Sequence, residues 1–543
     1  INDTLAYIRG AHSTKFGVNI MRNNFGFLQL SEPTGYLDFS GSYTSSPIDG
    51  SGGDAIADFL LGLPDATQKS VFVKGIPDVS YTEFGAFAQD QWRIRPNLTL
   101  NFGLRYDLFT PPVEKHNHQS DFDPVAGEII LAGQNGVSSS IINLRKDNFS
   151  PRFGFAYTFT PKTVVRGAYG LFFFNEQGTG GSARLFVANP FDAEGILNCS
   201  STTPCLSLQN GIPPISQLAT QPTAVYIPVA NQTSNVQEWN LTLERELSPS
   251  TVVRAAYVGS KGTHLFIALN DNVAFPGPGP VAPRQPYPNF SKISSWEPIG
   301  DSSYNGLQLS AEKRYSQGLW FEAEYTWSKS EDNGGGGNSS DGDPRINIQN
   351  PRNVKADYGL SSFDYRQRLT FGHHYDLPFG RGRRFMNGAE GVEQAVLGGW
   401  QLLGLLTLQS GAPTTPVLAK KTANTGTFTR PDRICDGNFP ASKRSINEWF
   451  DLSCFVAPPQ YQFGDSGRNI IIGPGLETYD FSLTKDFQVT EKMGLTFRSE
   501  FFNIFNHANF GLPDRTIGTS TSGTINYVVT NARQIQFGLR LHF

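Results

Sequence analysis

The chain has 543 residues, of which 38% are hydrophobic and 13% aromatic, including 42 Phe and 19 Tyr. The apolar share falls below the roughly 45–50% of ordinary soluble domains although rings are abundant. No segment reaches the about 18 uninterrupted apolar residues of a membrane helix; the nearest, LGGWQLLGLLTLQSG at 397–411, is broken by Gly, Gln and Thr, so a helical membrane protein is excluded. With 44 basic and 48 acidic residues the net charge is −4 and no block of one sign occurs, which excludes the basic footprint of a nucleic-acid binder.

Length alone predicts several domains, but large barrels break that rule, so domain count must come from pattern. The sequence opens at Ile1 with neither a basic stretch nor an apolar signal core behind it, and an export signal is expected outside it. The first segments, IRG and HSTKFGVNIM, read as strands. DAIADFLLGLP at 54–64 is different: Ile56, Phe59, Leu60 and Leu63 are helically spaced after Gly52 and Gly53, which predicts a short amphipathic helix at a loop or rim.

From there the dominant signal has a period of two. NLTLNFGLRYDLF at 97–109 sends Leu98, Leu100, Phe102, Leu104, Tyr106 and Leu108 to one face and Asn97, Thr99, Asn101, Gly103, Arg105 and Asp107 to the other. NFSPRFGFAYTF, WNLTLEREL, NGLQLSAEKRY, LWFEAEYTW, RLTFGHHYDL and TYDFSLTKDF repeat the scheme, with Glu244, Gln308, Glu312, Glu322, Glu324, Arg368, Asp376 and Asp480 on the wet side. The last eleven residues, RQIQFGLRLHF, alternate Ile535, Phe537, Leu539, Leu541 and Phe543 against Gln534, Gln536, Gly538, Arg540 and His542.

The connections alternate as well. RPN at 95–97, TPKT at 160–163, SPST at 248–251, SQG at 316–318 and FGRGRR at 379–384 read as tight turns. The long connections, near 110–147, 175–235, 263–302, 331–363 and 412–475, are rich in Gly, Pro, Ser and Asn. In an up-and-down sheet every second connection lies on the same side, so one rim carries turns and the other long loops. A strand of about 11 residues tilted near 45° covers about 25 Å, the height of an outer-membrane apolar band. The expected fold is an all-β, large antiparallel up-and-down transmembrane barrel with short periplasmic turns and long extracellular loops, occupying 1–543. Charges on nearly every wet face imply a wide, wet interior. Trp92, Trp239, Trp320, Trp327, Trp400, Tyr106, Tyr315 and Tyr479 stand near strand ends, where amphipathic rings suit the headgroup level.

Four segments carry a family resemblance: ADFLLGLP at 57–64, FGAFAQDQWRIRPNLTLNFGLRYD at 84–107, RSEFFNIFNHANFG at 498–511, and the aromatic C-terminus. They resemble the barrel of TonB-dependent outer-membrane receptors, in particular the Oar-like branch. The resemblance implies a twenty-two-stranded barrel around a plug, an N-terminal carboxypeptidase-regulatory-like domain, and energy received through a TonB box. No plug, TonB box or N-terminal globular domain is found in the sequence, and about sixteen to eighteen strands can be placed, so the chain is expected to be the barrel portion of a longer protein. The pattern Gln536, Gly538, Leu541 and terminal Phe543 resembles the signal read by the outer-membrane assembly machinery, with the last strand closing against the first.

The candidate sites are few. Cys199 and Cys205, and Cys435 and Cys454, form two local pairs without zinc spacing or a neighbouring histidine, and are read as disulfides of an oxidising compartment. No nucleophile elbow, Walker loop, HExxH or paired CxxC motif is present, and no enzyme activity is expected. His116 and His118 in KHNH are read as solvated loop residues rather than a metal pair, and His373 and His374, adjacent in a strand, face opposite ways. EDNGGGGNSSDGDP at 331–344 offers Asp332, Asp341 and Asp343 to calcium, but its spacing is not that of an EF-hand, so no cofactor is assigned. Arg105, Arg166, Glu322, Glu324, Arg498 and Glu500 are predicted to face the lumen, paired with one another or with a plug. The expected partners are outer-membrane lipid, the barrel assembly machinery, the TonB system and an unidentified ligand, with no nucleic acid. Import of that ligand across the bacterial outer membrane is the leading expectation. A barrel-anchored adhesive or structural surface protein and a secreted soluble β-rich binding protein are the alternatives.

Overall fold

The computed structural model describes residues 1–26, 30, 32–45, 53–175, 185–199, 203–218, 222–230, 232–334, 348–488, 490 and 493–543. Fifteen long strands form the wall: β1 Asn2–Arg9, β2 His12–Gly26, β3 Asp78–Arg95, β4 Leu98–Phe109, β5 Asn148–Thr160, β6 Thr163–Phe173, β7 Asn235–Ser248, β8 Thr251–Asn270, β9 Lys292–Ser316, β10 Leu319–Asp332, β11 Gln367–Asp376, β12 Trp400–Gln409, β13 Leu476–Gln488, β14 Gly494–Phe502 and β15 Gln534–His542. Each pairs antiparallel with the next in chain order, and three short segments at 113–114, 223–226 and 359–360 complete an 18-stranded sheet.

The expected rims are borne out. One rim carries the connections at 10–11, 96–97, 161–162, 249–250 and 317–318; the other carries 27–77, 110–147, 174–234, 271–291, 333–366, 410–475 and 503–533. The turn after β9 shows the local reason: Gln317 and Gly318 both take positive φ, 53° and 80°, the backbone hand that matches the twist of two antiparallel strands. Three boundaries differ from expectation. The connection after β11, read as a tight turn at 379–384, runs from 377 to 399 and holds a second helix at Gly391–Leu397. The loop read at 263–302 shrinks to 271–291, because β8 and β9, at 20 and 25 residues, run on past the height of a membrane band. Pairing there adds backbone hydrogen bonds that Gly- and Pro-rich composition does not reveal. The long connection 503–533 is not among those read from the sequence.

The helix read at 54–64 is present as Ala55–Leu61. Asp54 caps it by accepting from the amides of Ile56 and Ala57, and Gly62, at φ 70°, closes it with its amide on the carbonyls of Asp58 and Phe59.

Closure of the last strand against the first is not found. Among the described residues β1 pairs only with β2 and β15 only with β14, and both strands are exposed along their whole length. The physical reason lies in the count: in a meander of fifteen strands the first and last run in the same direction, whereas antiparallel closure needs an even number.

Cross-strand register fixes the two faces. Leu100 stands opposite Trp92 and Phe155, Phe102 opposite Phe153, and Tyr106 opposite Phe149, all on the apolar face. Many of these side chains are exposed, Phe153 at 49% and Phe537 at 68%, so the apolar face packs on nothing in the protein. Buried apolar clusters lie instead in the loop rim: Ala132, Ile141, Ile142, Leu185, Ile227 and Phe266; Phe122, Ala224, Phe290 and Ile293; and Phe450, Cys454, Phe455 and Ile471. The wall is a two-faced sheet, and the protein's own hydrophobic core sits in its cap.

Candidate functional site

The inner face of the wall is polar and bounded by paired charges. Arg105 binds Asp107 on the same strand at 2.7 Å, and Arg166 binds Glu244 at 2.8 Å, which also accepts from Arg254 at 3.2 Å. Arg498 and Glu500 approach to 3.7 Å. Four of the six charges expected to face the lumen thus have an ion-pair partner. Glu322 and Glu324 form no ion pair among the described residues; Glu322 stands directly opposite Glu312, and Glu324 opposite Ser310 and Thr370.

Between β2 and β7 the inner face forms an open hollow of about 690 Å³. Lys15, Arg105, Arg152, Arg166, Glu238 and Asn240 supply its polar groups. Arg152 lies 4.7 Å from the centre of the Phe172 ring, so one guanidinium is held by an aromatic face rather than a carboxylate.

Above the wall the long loops are stitched into a cap. Buried Arg430 binds Asp357, and buried Arg468 binds Asp332 and donates from Nε to the Asp357 carbonyl at 2.9 Å. Burial pushes the Asp357 carboxyl up and the Arg430 guanidinium down, against the attraction between them. Arg352 donates to the carbonyls of Val273 and Ala274 at 2.8 and 3.1 Å while lying 4.2 Å from the Phe275 ring centre. Asn424 donates to Gly277 at 2.9 Å, which ties loop 410–475 to loop 271–291. The two predicted disulfides are present, Cys199–Cys205 and Cys435–Cys454, and the second borders the third apolar cluster. Asp121 is buried with Oδ1 accepting from the amides of Phe122 and Ile227, and burial pushes its carboxyl up to about 7.

Asp332, weighed for calcium, is an ion-pair partner of Arg468, while Asp341 and Asp343 lie outside the described residues. His373 faces outward with Phe371, and His374 faces inward, as expected. The ring girdle is corrected at two positions. Trp320 stands opposite His374 on the inner face, and Tyr315 lies at an irregularity after Lys313 with its ring 5.7 Å from that of His374. Trp92 keeps its expected place, outward and stacked 5.3 Å from His12, itself paired with Asp90 at 2.7 Å. In the last strand Gln536 and Gly538 face inward opposite Glu500 and Arg498, Leu541 faces outward opposite Leu495, and Phe543 is 97% exposed.

Similar solved structures include the outer membrane transporter YddB from Escherichia coli (11% identity, TM-score 0.49, 99% of this chain and 53% of that one). They also include the ferric enterobactin receptor PfeA from Pseudomonas aeruginosa (12%, 0.46, 99% and 53%) and the ferric-catecholate import receptor Fiu from E. coli K12 (11%, 0.43, 100% and 54%). The chain thus spans about half the length of the solved structures it matches. No curated protein matches it. The family model described as an outer membrane beta barrel domain matches residues 1–536. An apolar face without a protein partner, a polar inner face and alternating rims are what that family requires, which excludes the soluble alternative. The chain belongs to the outer membrane beta barrel domain family and resides in the bacterial outer membrane.

Proposed function

We propose that the chain is the barrel of a TonB-dependent receptor that captures an unidentified ligand on its cap and passes it inward along the polar face. The observation that carries this reading is the union of a charged inner wall with a cap that has its own apolar cores and buried ion pairs. A wall serving only as an anchor needs no such inner face, since charges cost least where they are solvated. The segments FGAFAQDQWRIRPNLTLNFGLRYD and RSEFFNIFNHANFG support the assignment through their resemblance to Oar-like receptors. Among the described residues of the inner face no nucleophile and base are brought together, which is in keeping with a transport role. On this reading a gating plug and a TonB box are encoded ahead of Ile1, and loop contacts set specificity.

The test is binding of the complete gene product to the purified periplasmic domain of TonB, measured by cross-linking in detergent. A product that carries a plug and cross-links through its TonB box supports the proposal. A complete reading frame with neither element, or no cross-link above that of an unrelated barrel, overturns it.

A further inference from the structure

Loop 110–147 begins with Glu114-Lys115-His116-Asn117-His118, a segment in which the sequence suggests only two solvated histidines. The fold brings a third group to them. Glu114 is buried at 1% exposure, and its backbone pairs with Val79 of β3. Asn117 takes a positive φ of 58°, and its amide donates to the Glu114 carbonyl at 3.1 Å. That tight turn folds both rings back over the carboxylate. His116 Nδ1 lies 3.5 Å from Glu114 Oε1, and His118 Nδ1 lies 4.0 Å from Oε2. One ligand atom from each of the three residues lies within 4.8 Å of the others.

The carboxylate is fixed by groups that leave it free to bind outward. The amides of His116 and His118 both donate to Oε2 at 2.7 Å, and Gln119, itself buried, accepts from the Glu114 amide at 3.0 Å while donating to the Ser139 carbonyl at 2.8 Å. The ring of His118 lies 5.2 Å from that of Phe191, which orients it. Oε1 faces the His116 nitrogen and, among the described residues, has one weak donor, the Asp78 amide at 3.4 Å.

We propose that Glu114, His116 and His118 form a binding site for a divalent transition-metal ion of the zinc class. Tetrahedral ligands about 2.0–2.1 Å from zinc are separated by roughly 3.4 Å. The 3.5 Å separation of His116 Nδ1 and Glu114 Oε1 already has that value, and half-buried His118 stands at 4.0 Å from Oε2, within about 0.6 Å of it. Two imidazole nitrogens and one carboxylate oxygen suit zinc, nickel or copper rather than calcium or magnesium, which take oxygen shells. Three protein ligands leave a fourth position for water or a solute donor. The bound ion would tie the start of this loop to the Phe191 segment and, through Glu114, to β3. Stabilisation by the ion then grows with its free concentration.

The experiment uses the full chain, without a histidine tag, stripped of metal and folded in detergent. It is titrated with Zn²⁺ against a chromophoric chelator. One equivalent is expected, with affinity falling at least tenfold in His116→Ala and His118→Ala and unchanged in His264→Ala. A second measurement needs no variant: Co²⁺ added to the unmodified chain should give the visible absorption of a low-symmetry site with nitrogen ligands. Absence of saturable Zn²⁺ binding, binding unchanged in the double histidine variant, or a Co²⁺ spectrum identical to the hexaaqua ion overturns the site.

Discussion

Placing Arg at Leu104 distinguishes lipid from every other surrounding for the apolar face. Leu104 lies outward on β4, opposite Ala88 and Pro151, and is 49% exposed. It stands seven residues beyond Asn97 in the periplasmic turn, about 23 Å along the strand at roughly 3.3 Å per residue. A tilt near 45° converts this to about 16 Å of height, close to the middle of an apolar band about 25 Å tall. A cationic side chain there costs about 2–4 kcal/mol, or about 30- to 700-fold in the folding equilibrium. The matched control is Asn101→Arg, on the same strand but inward, opposite Gln91 and Gly154, where a solvated charge should change stability by no more than about 0.5 kcal/mol. Reversible urea unfolding of the chain in phosphatidylcholine bilayers, followed by tryptophan fluorescence, measures both. A costly Asn101→Arg with a neutral Leu104→Arg would invert the assignment of faces, and two neutral substitutions would remove the bilayer from the argument.

Two further outcomes concern the cap. Replacing Cys435 and Cys454 by Ser releases a loop whose closure contributes about 3.3 kcal/mol in the chain-entropy model, so protection from hydrogen exchange should fall around 432–433 and 455–456 while the wall strands stay protected; loss of protection along β11–β13 instead would show that the disulfide holds the wall. For Asp121, burial raises the folded pKa to about 7 from the ordinary 3.8 of an exposed aspartate. Its contribution to stability is therefore complete below about 3.8 and is lost as pH rises through about 7. Exchange of the Phe122 and Ile227 amides, corrected for intrinsic rates, should be slower at pH 5 than at pH 8, and Asp121→Asn should flatten the difference; an equally steep dependence in that variant would assign it to another group.

The period of two was legible throughout, because in a wall wetted on one side and apolar on the other every residue reports its own face. Arg105, Arg166, Arg498 and Glu500 could be placed inward without knowing their partners. The capped helix at Ala55–Leu61 was also readable, since Asp54 and Gly62 act within the same few residues. Local loop closure made both cysteine pairs predictable. The third cluster that borders Cys454 was not, because Phe450 and Ile471 come from separate parts of a loop whose composition resembles any other surface loop.

What the sequence determined by itself is the two-faced wall, its rims and its compartment, because these follow from neighbours at i and i+2 and from the spacing of turns. Only the tertiary structure decided where distant charges meet: Arg430 with Asp357 and Arg468 with Asp332 are partners across 73 and 136 residues. It also set Glu114 beneath His116 and His118, through a left-handed Asn117 that no periodicity announces. Strand faces are fixed by the geometry of a single extended chain, whereas loop contacts depend on which of many closures buries the most apolar surface and leaves the fewest charges unpaired.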